Sequence, residues 1–180
     1  MASKLLLKSK YLYGLQCSKY LWILFNEPEK IPAPDTVTQY TFAQGNLAGE
    51  LAKKRFPDGI EIPVDDFMGN LKFTKELLQQ RKTLFEAGIM TGHIFARIDV
   101  LNPVHEDEWD IFEVKSSTSV KDVHIHDASF QRYCCEESGL KIRKCFIMYI
   151  NNKYIRNGGE VNPLKLDQIR PLIVYSEMLS

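Results

Sequence analysis

Two strand-like runs that lie close together in the chain constrain its fold more than any other feature. The first is HIFARIDVL, residues 93–101, and the second is WDIFEVKSS, residues 109–117. The connection between them, NPVHEDE, is polar and contains a proline, as is typical of a hairpin loop. We therefore predict an antiparallel pair of strands, with its turn centred near residues 105 and 106.

The register of this predicted hairpin brings two carboxylates together. Asp99 is expected opposite residues 112 and 113, which makes Asp99 and Glu113 near neighbours. Glu113 and Lys115 share one face of their strand, because side chains alternate between the two faces. Neighbouring carboxylates repel unless a cation lies between them or one is protonated, and hard divalent cations favour such ligands. The alternative interpretation is a solvated strand face that carries a local ion pair.

A lysine two residues after the second carboxylate suits phosphate chemistry. The ammonium group of Lys115 could orient or help to deprotonate an attacking water, and it could offset charge that develops on phosphorus. The hairpin therefore predicts a candidate site as well as a local fold.

The composition sets broad limits on the function. The chain has 180 residues, which suits one domain with a substantial core. Its 23 Lys and Arg residues balance its 23 Asp and Glu residues, so a nucleic-acid partner would need a local basic patch. The opening MASKLLLKSK has an apolar run of only three residues, so we expect no signal peptide, no membrane contact and a cytoplasmic protein.

The four cysteines do not suggest a disulfide framework. Cys134 and Cys135 are adjacent and Cys17 is remote, which favours reduced thiols or metal ligands. We expect Cys134, Cys135 and Cys145 to be small buried residues.

Helices are predicted on both sides of the hairpin in the sequence. The predicted elements are helix 8–26 in one or two parts, helix 35–56, helix 70–88 ending at Gly88, helix 127–140 capped by Asp127, strand 143–151, and a turn into an edge strand over 152–163. In helix 35–56 the residues Phe42, Leu47, Leu51 and Phe56 are expected to line one side. Together these elements predict an α/β domain with a central mixed sheet flanked by helices.

Several motifs resemble the PD-(D/E)XK nuclease superfamily. Asp99 is followed 14 residues later by Glu113-Val114-Lys115. The resemblance is to the RecB-like exonuclease branch, which includes CRISPR-associated exonucleases. Its glycine-led helix resembles QGNLAGE, and its aspartate strand resembles GHIFARID. Its carboxylate-x-lysine strand resembles FEVKSS, and its Gln/Tyr helix resembles FQRY. Cys17 and the displaced Tyr20 resemble its N-terminal C-x-x-x-Y element. SKYLYGLQCSKYLW and DASFQRYCC are similar to an uncharacterised bacterial RecB-like subgroup, and the resemblance covers roughly residues 5–160.

This resemblance implies a fold and an activity. The fold would be a restriction-endonuclease-like core in a single nuclease-like domain over 1–180, with a helical N-terminal extension at 1–35, the core at 36–160, and a tail or the start of a missing region at 161–180. The activity would be metal-dependent DNA cleavage, as an exonuclease in repair, recombination or defence. A catalytically weak nucleic-acid-binding module within a larger assembly, and a structural or protein-interaction domain, are the alternatives.

The resemblance also assigns site residues. Mg²⁺ or Mn²⁺ would be held by Asp99, Glu113, the Val114 carbonyl and Glu50. Lys115 would be the catalytic lysine, and Gln131 would support the site. DNA would be contacted by Arg97, Lys121, Arg132 and Tyr133. Simpler interpretations stay open: Glu50 as a helix partner of Lys54, Arg97 as a counter-charge to Asp99, Gln131 on the surface, and Tyr133 in the core.

Two departures from the family pattern matter. Many relatives carry a metal-binding histidine four residues after the first glycine of the glycine-led helix, and here that position is Gly49. In the resembling exonucleases the N-terminal cysteine joins a later cysteine cluster around an iron–sulfur centre. No cysteine follows Cys145, so we expect no iron–sulfur cluster in this chain.

Overall fold

A seven-stranded mixed sheet with helices packed on it organises the protein in a computed structural model, which describes residues 5–156, 158 and 161–172. The strands are β1 (Leu6–Leu7), β2 (Ile60–Glu61), β3 (Leu84–Thr91), β4 (Ile94–Val104), β5 (Glu108–Lys115), β6 (Lys141–Ile150) and β7 (Asp167–Leu172). Their order is β2-β3-β4-β5-β6-β7, and β1 pairs with β4. The predicted α/β class and mixed sheet are confirmed.

The helices also follow the predicted order in most of the chain. They are α1 (Lys8–Gln16), α2 (Ser18–Asn26), α3 (Thr36–Lys53), α4 (Phe67–Leu78), α5 (Asp122–Glu137) and the short α6 (Pro163–Leu166). The predicted segment 8–26 is thus a pair of helices. Helix α3 begins as predicted, because the Asp35 side chain accepts a hydrogen bond of 2.8 Å from the Thr38 amide.

The core has two apolar clusters. One contains Ala128, Phe130 and the three later cysteines, packed against strand residues such as Ile98 and Ile111. The other joins Ala52 of α3 to Phe85, Val100, Phe112 and Met148. Cys134, Cys135 and Cys145 are buried, as predicted. In the part of the chain that the structure describes, no helix combines the length and apolarity needed to cross a membrane.

The predicted helix 70–88 is wrong in its second half. Helix α4 ends at Leu78, and Arg81 then takes a left-handed backbone conformation with φ of 53°. Residues 84–91 form β3, which pairs antiparallel with β4 along nearly its whole length. The sheet buries Leu84, Phe85, Ala87 and Ile89, and this tertiary pairing overrides the local helical pattern.

Two further details of the helices differ from the prediction. Helix α3 buries Ala48 and Ala52, while Phe42 and Leu47 are 58% and 55% exposed, so its predicted apolar side is wrong. Helix α5 begins at Asp122 rather than at Asp127, which is therefore not its cap.

The two ends of the described chain join the central sheet. Strand β1 pairs in parallel with the start of β4, and Tyr11 of α1 stacks on Phe130 of α5 at 5.0 Å between ring centroids. Strand β7, which lies in the segment predicted as a tail, pairs antiparallel with β6. The predicted turn over 152–163 includes residues 157, 159 and 160, which lie outside the described residues, and the edge strand itself lies at 167–172.

Strand β4 changes partner along its length. Its second half pairs with β5, from Val100 opposite Phe112 to Val104 opposite Glu108. Its first two residues, Ile94 and Phe95, pair instead with β1. Strands β4 and β5 therefore diverge just before Val100, and we call this divergence the strand fork. The predicted hairpin and its register are confirmed.

Gly88 on β3 offers a test of the packing between α4 and the sheet. A Cβ atom at this position would lie 1.9 Å from Oδ1 of buried Asn70, whose amide nitrogen donates to the carbonyl oxygens of Pro63 and Glu86. We expect Gly88→Ala to lower the free energy of unfolding by about 2 kcal/mol or more. The matched control is Gly45→Ala in α3, where a Cβ meets nothing within 4 Å. This substitution should raise the free energy of unfolding by as much as about 1 kcal/mol. Urea unfolding measures both, and equal effects would contradict this packing.

Candidate active site

Asp99 lies at the strand fork. Because the β4–β5 ladder ends beside it, the Val114 amide donates to the side chain instead, at 2.8 Å from Asp99 Oδ2. This is the one hydrogen bond that the described residues give to the Asp99 carboxylate. The side chain is half-buried, and its other oxygen remains available for a ligand.

Glu113 lies opposite, with its carboxylate enclosed. Its side chain is only 1% exposed, so the interpretation of a solvated strand face is wrong. Oε1 accepts from Lys115 at 2.5 Å and from Lys8 at 3.0 Å. Oε2 accepts from Gln131 at 2.5 Å and from Lys8 at 3.2 Å. The predicted pair of Glu113 and Lys115 is thus in direct contact, within a larger network.

Helix α5 completes this network. Asp127 accepts from Lys115 at 2.5 Å and from Gln131 at 3.0 Å, and it lies 3.3 Å from the Lys8 ammonium. Gln131 is fully buried, so its surface interpretation is wrong, and its amide nitrogen donates to both Glu113 and Asp127. We call Lys8, Glu113, Lys115, Asp127 and Gln131 the charge cluster.

The surroundings shift the pKa values of Asp99 and Glu113 in opposite directions. Burial, followed by the negative charge of Glu113, raises the pKa of Asp99 from 3.8 to about 7. Burial acts on Glu113 in the same direction, but the ammonium groups of Lys8 and Lys115 outweigh it and hold the Glu113 pKa well below its usual range. Burial lowers the pKa of Lys115, yet Glu113 and Asp127 raise it by more, so this lysine is protonated at neutral pH.

These pKa directions predict how stability depends on pH. Between pH 3.8 and about 7, folded Asp99 holds a proton that the unfolded chain has released. That proton stabilises the fold, and its contribution is lost as the pH rises through about 7. The lowered pKa of Glu113 also stabilises the fold, but this contribution is lost as the pH falls below the ordinary value of 4.5.

In EDTA, the free energy of unfolding of the wild-type protein should therefore fall between about pH 6 and about pH 8. We expect this fall to exceed that of Asp99→Asn by about 1 kcal/mol. Urea unfolding of both proteins at the two pH values gives the difference. A parallel change in the two proteins would show that Asp99 ionises normally.

A cavity of about 490 Å³ opens beside Asp99 and Glu113, between α3 and the sheet. Its carboxylates are Glu50, Glu61, Glu86, Asp99 and Glu113, and its cationic residues are Lys53 and Arg97. Negative charge therefore predominates among the described residues that line it. Glu50 is bonded to Lys53 at 2.6 Å rather than to Lys54, and Val114 also faces the cavity.

The predicted DNA-contacting residues fall into two groups. Arg97 lines the cavity, and its buried Nε has no hydrogen-bond partner among the described residues. Arg97 forms no ion pair with Asp99 there, so the structure gives no support to a simple counter-charge. Lys121, Arg132 and Tyr133 lie on or beside α5, away from the cavity lining. The Arg132 guanidinium binds Glu136 at 2.8 Å and the Ile142 carbonyl at 3.3 Å.

Two members of the charge cluster were not predicted from the sequence. Asp127 lies four residues before Gln131, one helical turn away, and this spacing could have placed it beside the predicted glutamine. Lys8 had no such signal, because its position depends on the pairing of β1 with β4.

No model of a known protein family matches this sequence, and no curated protein matches it either.

Proposed function

We propose that this chain is a cytoplasmic, divalent-metal-dependent deoxyribonuclease of the PD-(D/E)XK type, which hydrolyses phosphodiester bonds as a RecB-like exonuclease does. One observation carries the proposal: Asp99, Glu113 and Lys115 converge at the strand fork, on the edge of an acidic cavity. A site of this kind suits work on DNA in repair, recombination or defence, alone or within a larger complex.

The donor set at the fork fits a hard divalent cation. Asp99 has a free oxygen and a raised pKa, which means that its negative charge is poorly compensated. Asp99 and Glu113 would hold Mg²⁺ or Mn²⁺, with the Val114 carbonyl as a further oxygen ligand. Glu50 is bonded to Lys53 and would have to leave it to join them. No three His, Cys, Asp or Glu residues within the described ranges lie close enough to enclose an ion. Mg²⁺ suits such an open site, because it keeps several waters and takes substrate phosphate oxygens as ligands.

The predominance of carboxylates in the cavity also supports a need for a divalent cation, because the substrate is itself negatively charged. A DNA phosphate would be repelled by the cavity unless positive charge were added to it. When bound, a divalent ion supplies this charge and makes water a stronger nucleophile at neutral pH. Arg97 contributes a further donor, since its unpaired Nε can bind a phosphate oxygen.

Lys115 acts in this proposal as a cation and not as a base. Its ammonium is kept protonated by Glu113 and Asp127, so it has no lone pair with which to accept a proton. It instead offsets the negative charge that develops on the phosphate oxygens in the transition state. Gln131 holds Glu113 and Asp127 in place through its amide nitrogen.

One alternative has specific support, a catalytically weak nucleic-acid-binding module of the same fold. Gly49 stands where many members of the resembling family carry a metal-binding histidine, and a Cβ added there meets nothing within 4 Å. Each oxygen of Glu113 already accepts two hydrogen bonds. Both features would favour weak metal binding.

A cleavage assay separates the two functions. Labelled single-stranded DNA, double-stranded DNA and RNA are incubated with the protein and Mg²⁺, Mn²⁺ or EDTA. A metal-dependent nuclease should give DNA products with a divalent ion and none with EDTA. Salt-dependent DNA binding without products under any of these conditions would favour the binding module.

A further inference from the structure

Lys8 enters the charge cluster from a distant part of the sequence. It directly follows β1, whose residues Leu6 and Leu7 pair with Ile94 and Phe95 of β4. Since β5 pairs with β4 only from Val100 onward, β1 takes the place beside β4 that β5 has left. Lys8 therefore lies at the strand fork, because it directly follows β1.

The Lys8 ammonium occupies the place of a shared cation. It lies 3.0 and 3.2 Å from the two oxygens of Glu113 and 3.3 Å from Asp127 Oδ1. Asp99 also attracts it, as the third carboxylate at the fork. One ammonium thus contacts two carboxylates and is drawn to a third, as a bound metal ion would be.

This arrangement leaves Glu113 without a free position. A carboxylate oxygen offers about two lone-pair sites, and both oxygens of Glu113 already accept two hydrogen bonds each. A metal ion can bind Glu113 only if one donor leaves. Lys115 and Gln131 are also bonded to Asp127, at 2.5 and 3.0 Å, whereas Lys8 approaches Asp127 only to 3.3 Å.

Open space beside Lys8 could receive its side chain. Its side chain is 25% exposed, and the residue lines a second cavity of about 340 Å³. That cavity shares Glu86, Arg97 and Asp99 with the larger one. A small rotation of the flexible lysine chain would free Glu113 while keeping the ammonium beside the same groove.

We propose that Lys8 occupies the cation position in the ion-free protein and leaves Glu113 when a divalent ion binds, so that Lys8 sets the metal affinity of the site. This inference rests on the proposed function, because it needs an ion that binds Asp99 and Glu113.

Calorimetric titration with Mn²⁺ tests the competition. Lys8→Met and Lys8→Gln should bind Mn²⁺ about tenfold or more tightly than wild type, because a competing positive charge is removed. The matched control is Lys19→Met, an exposed change on α2, which should bind like wild type. Near-ultraviolet circular dichroism checks that each variant is folded.

A second measurement uses the wild-type protein alone. Lysine acetylation by a small reagent is followed by mass spectrometry with and without Mn²⁺. Lys8 should become severalfold more reactive when Mn²⁺ is added, while Lys19 should not change.

The outcomes distinguish this inference from the proposed function. Equal Mn²⁺ affinity in wild type and the folded Lys8 variants, or unchanged Lys8 reactivity with Mn²⁺ bound, would overturn the inference alone. A failure of every protein to bind Mn²⁺ would overturn both the inference and the metal-dependent function.

Discussion

Replacing Asp99 with asparagine should weaken Mn²⁺ binding by about a hundredfold or more and reduce DNA cleavage to background, while the protein becomes more stable at neutral pH. The side-chain oxygen of asparagine can still accept the Val114 amide, so the strand fork keeps its geometry. The charge that would hold the ion is lost. The same substitution removes a half-buried negative charge beside Glu113, which accounts for the gain in stability.

The matched control for this substitution is Asp58→Asn, which removes an exposed carboxylate. It should leave Mn²⁺ affinity, cleavage and stability unchanged. Calorimetry, a cleavage assay and urea unfolding give the three readouts. An Asp99→Asn protein that binds Mn²⁺ and cleaves DNA like wild type would remove Asp99 from the proposed site.

Replacing Lys115 with methionine should slow cleavage by about a hundredfold or more without weakening Mn²⁺ binding. The ammonium offsets charge that develops only in the transition state, so its loss slows the reaction step. Its loss also removes a donor from Glu113, so the ion should bind at least as tightly as in wild type. Glu113 still accepts from Lys8 and Gln131 in this variant, which keeps its carboxylate oriented.

An exposed lysine on β6 supplies the control, as Lys144→Met. This change should leave single-turnover cleavage rates as they are. A Lys115→Met protein that matches wild type in both cleavage rate and Mn²⁺ affinity would show that the lysine serves only to neutralise Glu113 and Asp127.

The sequence predicts those parts of the site that depend on local geometry. A short polar connection between two strand-like runs sets the hairpin register, and that register places Asp99 next to Glu113. Helix α3 begins close to its predicted start because Asp35 bonds to an amide only three residues away. In each case the interacting groups are close in sequence, or joined by one tight turn.

The features that the sequence does not predict depend on distant partners. Residues 84–91 carry apolar side chains that suit either a helix or a strand, and only their pairing with β4 decides between the two. Lys8 and Glu113 are 105 residues apart, and they meet because β1 lies beside the first residues of β4. Burial of the ion pair follows from the same packing, which composition and spacing do not reveal.

The hydrogen bond from the Val114 amide to Asp99 gives the site a natural spectroscopic reporter. A hydrogen bond to a charged carboxylate is shorter and stronger than one to a neutral group, so the amide proton senses the state of Asp99. In a ¹⁵N-labelled sample, the Val114 resonance should move when Asp99 takes up a proton, and again when a cation replaces that proton. Occupancy of the fork can then be followed at a single backbone position, without any substrate present.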